Sequence, residues 1–292
     1  MNLIKPENLK SGDTIAIIAP AGEVEYEEVM KSKKYFESLG YKVILGKHLF
    51  EQNRYFAGDD NLRVEDLHNA FLNSEVKAII CARGGYGCLR LLKYIDFELI
   101  KNNPKIFCGY SDITVLSLMF LKHSGLITYS APMAQSDFNT ECPEHLTEKS
   151  FFNVLRGNRE EYCSKEVIKF GEAKGIIWGG NLSSIVSLCG IDFIPDEDFI
   201  FFLEDINEPA YKIDKMLTQL CNIKQFRKYI KGIAFGEFSG CDNEVWLKEI
   251  FTETAELLGV PAYSGFKFSH ELLKQTVPIG AMGLLDGNLI LV

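Results

Sequence analysis

Apolar positions recur along this chain in two periods, and their alternation predicts the architecture. Thr14-Ile-Ala-Ile-Ile18 is a continuous β-branched run stopped by Ala19-Pro20-Ala21-Gly22, the mark of a buried strand followed by a breaker. Glu25 to Leu39 reads as a helix closed by Gly40. Tyr41–Leu45 is a second strand. In Asn61–Leu72, Leu62, Val64, Leu67 and Phe71 gather near one face of a helix. Val76–Cys81 is a third strand running into Arg83-Gly-Gly-Tyr-Gly87, and Lys105–Cys108 is a fourth. The fourth is followed by Gly109-Tyr-Ser-Asp112 and an apolar helix to His123; Leu126–Ser130 is a fifth. Apolar strands alternating with helices of about a dozen residues predict a parallel sheet covered on both faces. Ligand sites in such sheets lie beyond the carboxyl ends of the strands, where both glycine-bearing turns fall.

The pattern changes between residues 136 and 172, which are polar and weakly periodic and read as a connection, helical around Thr147–Leu155. Beyond it, short glycine-punctuated strands are expected at Gly175–Trp178, Phe199–Leu203, Gly232–Phe235 and Pro261–Tyr263. Helices are expected at Tyr211–Leu220 and Asn243–Leu258. Asp286-Gly287 between apolar runs predicts a hairpin.

Composition narrows the function. The 292 residues carry 47% hydrophobic and 24% charged side chains, which excludes a largely disordered chain. The net charge of −9 and the lack of a basic stripe argue against nucleic acid as a general partner. They leave room for a local cationic pocket. No apolar run reaches the roughly 18 residues of a membrane span, and the N-terminus lacks an apolar signal core. The eight Cys are scattered, several within apolar runs, with no C-x-x-C; free buried thiols in a reducing, cytoplasmic compartment are expected.

Candidate chemistry is sparse. His270-Glu-Leu-Leu-Lys274 and Cys142-Pro-Glu-His145 each lack ligands for a tetrahedral site, so no metal is expected. A dinucleotide fingerprint started at Gly85 would need Gly at position 90, which is Arg, and no cofactor is expected. The Gly84–Gly87 turn reads either as a plain tight turn or as backbone N–H groups brought close to a reacting oxygen. Ser111 sits between a buried strand and a buried helix, where a side chain is raised above the sheet rim over helix-start N–H groups. On the residues alone it is either a nucleophile or a helix N-cap. A serine nucleophile needs a base held by a carboxylate. Of five His, His270 is best placed, in a glycine-bearing loop after a strand, with a surface loop histidine as the alternative. Glu204 follows four apolar residues at a strand's end, where a carboxylate is held rigidly. Arg83 is either a local cation for anionic substrates or an ordinary surface arginine.

Six segments in this order resemble the LD-carboxypeptidase family of serine peptidases, which includes muramoyl-tetrapeptide carboxypeptidases and microcin C immunity peptidases. They are Gly12–Pro20, Ala82–Gly87, Gly109–Thr114, Gly179–Leu182, Phe202–Ile206 with Tyr211–Leu217, and His270 before Pro278-Ile-Gly280. The resemblance implies a flavodoxin-like α/β domain over residues 1–135 carrying the nucleophile. It also implies a connection over 136–172 and a β-rich α+β domain over 173–292 carrying the other two catalytic groups. The triad it implies is Ser111, Glu204 and His270, with an oxyanion hole of the Asp112 and Gly85 N–H groups. Arg83, Gly84 and Tyr110 are the positions expected to touch substrate. The expected reaction is release of a terminal D-amino acid from a muramoyl tetrapeptide in peptidoglycan recycling, by a homodimer with no membrane or nucleic-acid partner. The alternatives are cleavage of a peptidyl-nucleotide antibiotic, with Trp178 stacking on a base or simply buried in the core, and a non-catalytic small-molecule binding protein. Ala21, Lys215 and Ser269 depart from the family's commoner residues.

Overall fold

The computed structural model describes residues 2–292. Its strands are β1 (Thr14–Ile18), β2 (Lys42–Leu45), β3 (Val76–Cys81), β4 (Ile106–Cys108), β5 (Thr128–Ser130), β6 (Glu161–Tyr162), β7 (Glu166–Lys169), β8 (Ala173–Asn181), β9 (Phe199–Ile206), β10 (Ile230–Ser239), β11 (Ala262–Ser264), β12 (Val277–Ile279), β13 (Met282–Asp286) and β14 (Asn288–Leu291). The helices are α1 (Tyr26–Ser38), α2 (Asp60–Leu72), α3 (Cys88–Leu91), α4 (Phe97–Asn102), α5 (Ile113–Ser124), α6 (Ala134–Asp137), α7 (His145–Leu155), α8 (Leu182–Val186), α9 (Ala210–Cys221), α10 (Lys224–Tyr229) and α11 (Glu244–Leu258).

One sheet has the order β12-β5-β4-β3-β1-β2. Its β1 to β5 are parallel, in the flavodoxin-like order 2-1-3-4-5. β1 and β3 are buried along their length except at Lys77, as a strand covered on both faces must be. The order reverses between β1 and β3, so a crevice opens where Ala19–Gly22 and Ala82–Gly87 leave the sheet. The second sheet runs β6-β14-β13-β8-β9-β10-β11-β7 and mixes a parallel centre with antiparallel margins. Asp286 pairs with Asn288 across Gly287, which takes φ +76°, giving the expected hairpin.

Two features lie beyond the sequence reading. The polar stretch 136–172, helical at α7 as expected, is no mere connection, since that helix enters one core and the stretch also supplies strands to the other sheet. Phe151, Phe152, Val154 and Leu155 of α7 join α1's Tyr35 and Phe36 in a buried cluster, while β6 and β7 are the outermost strands of the second sheet. The chain also leaves the second sheet after β11 and returns to the first, where β12 pairs antiparallel with β5.

Helix α5 sits at the junction. Residues Ile113 to Leu121 are all buried, as expected of a helix covered all round. Gly180 of β8 packs where a Cβ would lie 2.7 Å from Thr114, and the Asn181 N–H donates to Thr114 Oγ1 at 3.2 Å. Trp178 is fully buried among Phe193, Phe199, Phe201 and Phe226, so it is a core residue with no free face for a ligand. All eight cysteines are free thiols, but Cys142 and Cys163 are exposed, because both fall in the polar stretch. No helix among the described residues is long and apolar enough to cross a membrane.

The β8–β9 pairing leaves no room at Gly179, where a Cβ would lie 1.7 Å from the Phe202 carbonyl oxygen. Gly179→Ala is expected to destabilise the fold by about 3 kcal/mol and to lower Tm by on the order of 5–10 °C, read by thermal melting.

Candidate active site

Three loops meet beside α5. The first is the turn from β4 into α5. Gly109 lets it close sharply: a Cβ there would lie 2.7 Å from Ile113. Ser111 then takes φ +60°, a conformation costly for a side chain of ordinary handedness. Such strain is kept only where the surroundings enforce it. Here backbone bonds close the turn, from Ile113 N–H to the Tyr110 carbonyl at 3.2 Å and from Thr114 N–H to the Ser111 carbonyl at 3.0 Å. Asp112 occupies the N-cap position, and no side chain caps the helix. Ser111 Oγ has no hydrogen-bond partner among the described residues, which removes the N-cap reading of this serine.

The second loop is Ala82–Gly87. Gly84 is packed directly on the serine: a Cβ there would lie 2.8 Å from Ser111 Cβ, 3.0 Å from its Oγ and 3.6 Å from the Asp112 nitrogen. The Gly84 carbonyl accepts from Gly22 N–H at 3.1 Å. In a trans peptide the next N–H points the opposite way, so the Gly85 N–H is directed away from Gly22. No backbone carbonyl among the described residues takes up the N–H of Gly85 or of Asp112. The buried Asp112 carboxylate accepts from Cys88 N–H at 2.8 Å, tying this loop to α5. Burial raises the pKa of Asp112. Arg83 is half-buried and donates to the Glu23 carbonyl at 3.2 Å.

The third loop joins β11 to β12 and carries His270. Its Nδ1 lies 2.6 Å from Glu204 Oε2. Glu204 is 3% exposed on β9, opposite Asn181 in the register. Burial pulls the His270 imidazole down, but the hydrogen bond and charge of Glu204 outweigh it and hold the pKa above its ordinary value. Ser269 braces the loop by accepting from Glu271 N–H at 2.8 Å, and Gly236 lets the Phe268 carbonyl approach β10, where it accepts from Glu237 N–H at 2.9 Å. Tyr110 is 8% exposed, with its ring edge-on to His270 at 5.0 Å.

The structure thus joins Glu204 to His270, sets Gly84 against Ser111 and Asp112, and links the two groups through Tyr110. Sequence reasoning missed the groups behind them. Lys274, 4% exposed, forms a buried ion pair with Asp137 of α6 and lies 4.6 Å over the Tyr110 ring. Burial pushes Asp205 up to about 6 against hydrogen bonds from Ile206 N–H and Ser183 N–H; it also accepts from Asn181 Nδ2 at 2.9 Å, bracing the end of β8 beside Glu204. The available signal for Lys274 was a lysine set between Leu272-Leu273 and Val277.

Comparison with known proteins gives a consistent picture. Residues 15–131 match a family profile described as the LD-carboxypeptidase N-terminal domain, and residues 174–285 match the LD-carboxypeptidase C-terminal domain. A probable murein peptide carboxypeptidase of Bacillus subtilis (strain 168) is 37% identical, over 97% of this chain and 91% of its own. The crystal structure of an MccF-like protein from Bacillus anthracis str. Ames superposes with a TM-score of 0.91 at 30% identity, covering 99% of both chains. That of a muramoyltetrapeptide carboxypeptidase from Oxalobacter formigenes gives 0.86 at 30% identity, over 95% and 97%.

The Lys274–Asp137 pair is nearly dry, and removing one partner strands a charge. Lys274→Met is expected to cost about 3–5 kcal/mol in urea unfolding, whereas Asp137→Leu with Lys274→Met together lies much nearer the parent.

Proposed function

The chain belongs to the LD-carboxypeptidase family, and from that premise we propose that it cleaves the L-to-D amide bond of a muramoyl tetrapeptide and releases D-alanine. The observation that carries this reading is the 2.6 Å contact of His270 Nδ1 with Glu204 Oε2, with His270 packed on the residue preceding the strained Ser111. A carboxylate on Nδ1 fixes the tautomer that leaves Nε2 free as a base.

In the mechanism we assign, His270 takes the Ser111 hydroxyl proton as Oγ attacks the scissile carbonyl carbon. The developing oxyanion is met by the N–H groups of Asp112 and Gly85, each worth on the order of 10²–10³ in rate. The packing of Gly84 on Ser111 and the orientation of the Gly85 peptide support that assignment. His270 then gives its proton to the departing D-alanine nitrogen, and the C–N bond breaks. Water, activated by the same imidazole, cleaves the Ser111 ester. Glu204 stabilises the imidazolium that forms in each half. Arg83 pairs with no carboxylate among the described residues and suits an anionic stem peptide. The free thiols support a cytoplasmic setting, and the family resemblance suggests a homodimer. The likeness to the MccF-like structure supports a second reading, a peptidyl-nucleotide substrate.

Ser111→Ala is expected to lower kcat for D-alanine release from muramoyl tetrapeptide by about 10⁴–10⁶-fold, measured by mass spectrometry; unchanged release refutes the mechanism. His270 must be neutral to accept a proton, so kcat/KM rises with pH through its elevated pKa. Glu204→Gln removes the main interaction holding that pKa up and leaves burial and the Lys274 charge opposed only by Asp205. The acid limb then moves to lower pH while the plateau falls by on the order of 10³–10⁴-fold.

A further inference from the structure

The turn bearing Arg83, Gly84 and Gly85 continues into Tyr86, whose side chain stands out from the surface. Tyr86 is 46% exposed, and Tyr55 beside it is 52% exposed. Their ring centroids are 6.0 Å apart, with planes inclined at 37°. Both rest on Phe56, which is 2% exposed, at 4.4 Å for Tyr55 and 5.6 Å for Tyr86. Phe56 is itself gripped by the guanidiniums of Arg63 and Arg90 at 4.8 and 5.2 Å, both of which are paired to Asp60. Two wet rings therefore stand on a dry, fixed foundation, and ordering them for a ligand costs little.

The rings are also tied to the candidate active site. Glu23 N–H donates to the Tyr55 carbonyl, and the adjacent Gly22 N–H donates to the Gly84 carbonyl. Tyr86 is two residues beyond Gly84, so its Cα lies within about 7 Å of the glycine packed on Ser111. A three-residue peptide reaches about 10 Å when extended. That is how far a muramoyl tripeptide carries its sugar from the scissile carbonyl.

We propose that Tyr55 and Tyr86 form a stacking platform for the sugar ring of the muropeptide, a subsite that makes the enzyme prefer sugar-bearing over bare stem peptides. The inference rests on the muropeptide reading above. Rings inclined on a shared base enclose no parallel slot for a flat nucleobase. With the Arg54 guanidinium over the Tyr55 ring at 5.5 Å, they offer a bent ring face edged by a cation and hydroxyls, which suits the C–H face and hydroxyl edge of a pyranose.

The test compares kcat/KM for muramoyl tetrapeptide and for the same tetrapeptide without sugar. It uses the parent, the Tyr55→Ala/Tyr86→Ala variant and the Tyr55→Phe/Tyr86→Phe variant. The parent is expected to favour the sugar-bearing substrate by roughly tenfold, the scale of one good aromatic contact. The alanine pair brings the ratio near one, chiefly through KM, and the phenylalanine pair, which keeps the rings and loses only the hydroxyls, retains most of it. Retention separates loss of the rings from disturbance of the turn. A parent ratio near one, or a ratio unchanged in the alanine pair, overturns the platform while leaving the carboxypeptidase reading standing. Release of D-alanine from neither substrate overturns both. A raised KM for a peptidyl-adenylate in the alanine pair, with no muropeptide preference to lose, overturns the sugar assignment in favour of a base.

Discussion

The proposed site depends on one constraint: its groups come from two different sheets and must be held to within about 0.5 Å to act together. Ser111 follows a strand of the first sheet and Glu204 lies near the end of a strand of the second. The chain meets this by sending the β11–β12 segment across the gap with His270 on it. That loop is anchored along its length. Lys274 is paired to Asp137, Lys274 N–H donates to Thr147 Oγ1, Thr276 N–H donates to Ser150 Oγ, and Tyr162 Oη donates to the Thr276 carbonyl. Each fixed residue loses roughly 1–2 kcal/mol of backbone entropy, so a loop of this length stays ordered only with such anchors. The Glu204–His270 contact is then the point where the two sheets lock.

A second economy lies in the glycines around the serine. Gly84 and Gly109 each occupy a place where a Cβ would collide with Ser111 or Ile113. Small size at these two positions lets two turns interlock with the serine at their junction. The strain at Ser111 is sustained by the buried helix behind it and by Asp112, whose carboxylate holds the neighbouring loop. Rigid scaffold and strained turn are thus parts of one arrangement.

Much of this was legible in sequence because period and punctuation carried it. Strands β1 and β3 are buried runs ended by breakers, and the Asp286-Gly287 hairpin announced itself by turn chemistry. Strand ends marked Ser111 and Glu204 as candidates and elimination among few histidines left His270, with a helix-cap serine and a surface histidine as the alternatives, and the triad was implied only by the family resemblance. Other features were not legible because they are tertiary. Val277–Ile279 is too short to signal a strand and joins a sheet laid down far earlier in the chain. The polar stretch concealed β6 and β7, edge strands whose exposure erases the apolar pattern. Lys274 and Asp137 look solvated in sequence, and only their meeting makes burial tolerable.

The return of β12 to the first sheet has a consequence for how the molecule comes into being. During synthesis the five parallel strands emerge first and can pair in order, yet β5 is left as an open margin until the far later segment arrives. Such a long-range closure raises contact order and slows the final step of folding. The imidazole arrives on the same segment that seals the margin. A partly made chain therefore has Ser111 without His270, and the proposed triad can assemble only together with topological completion.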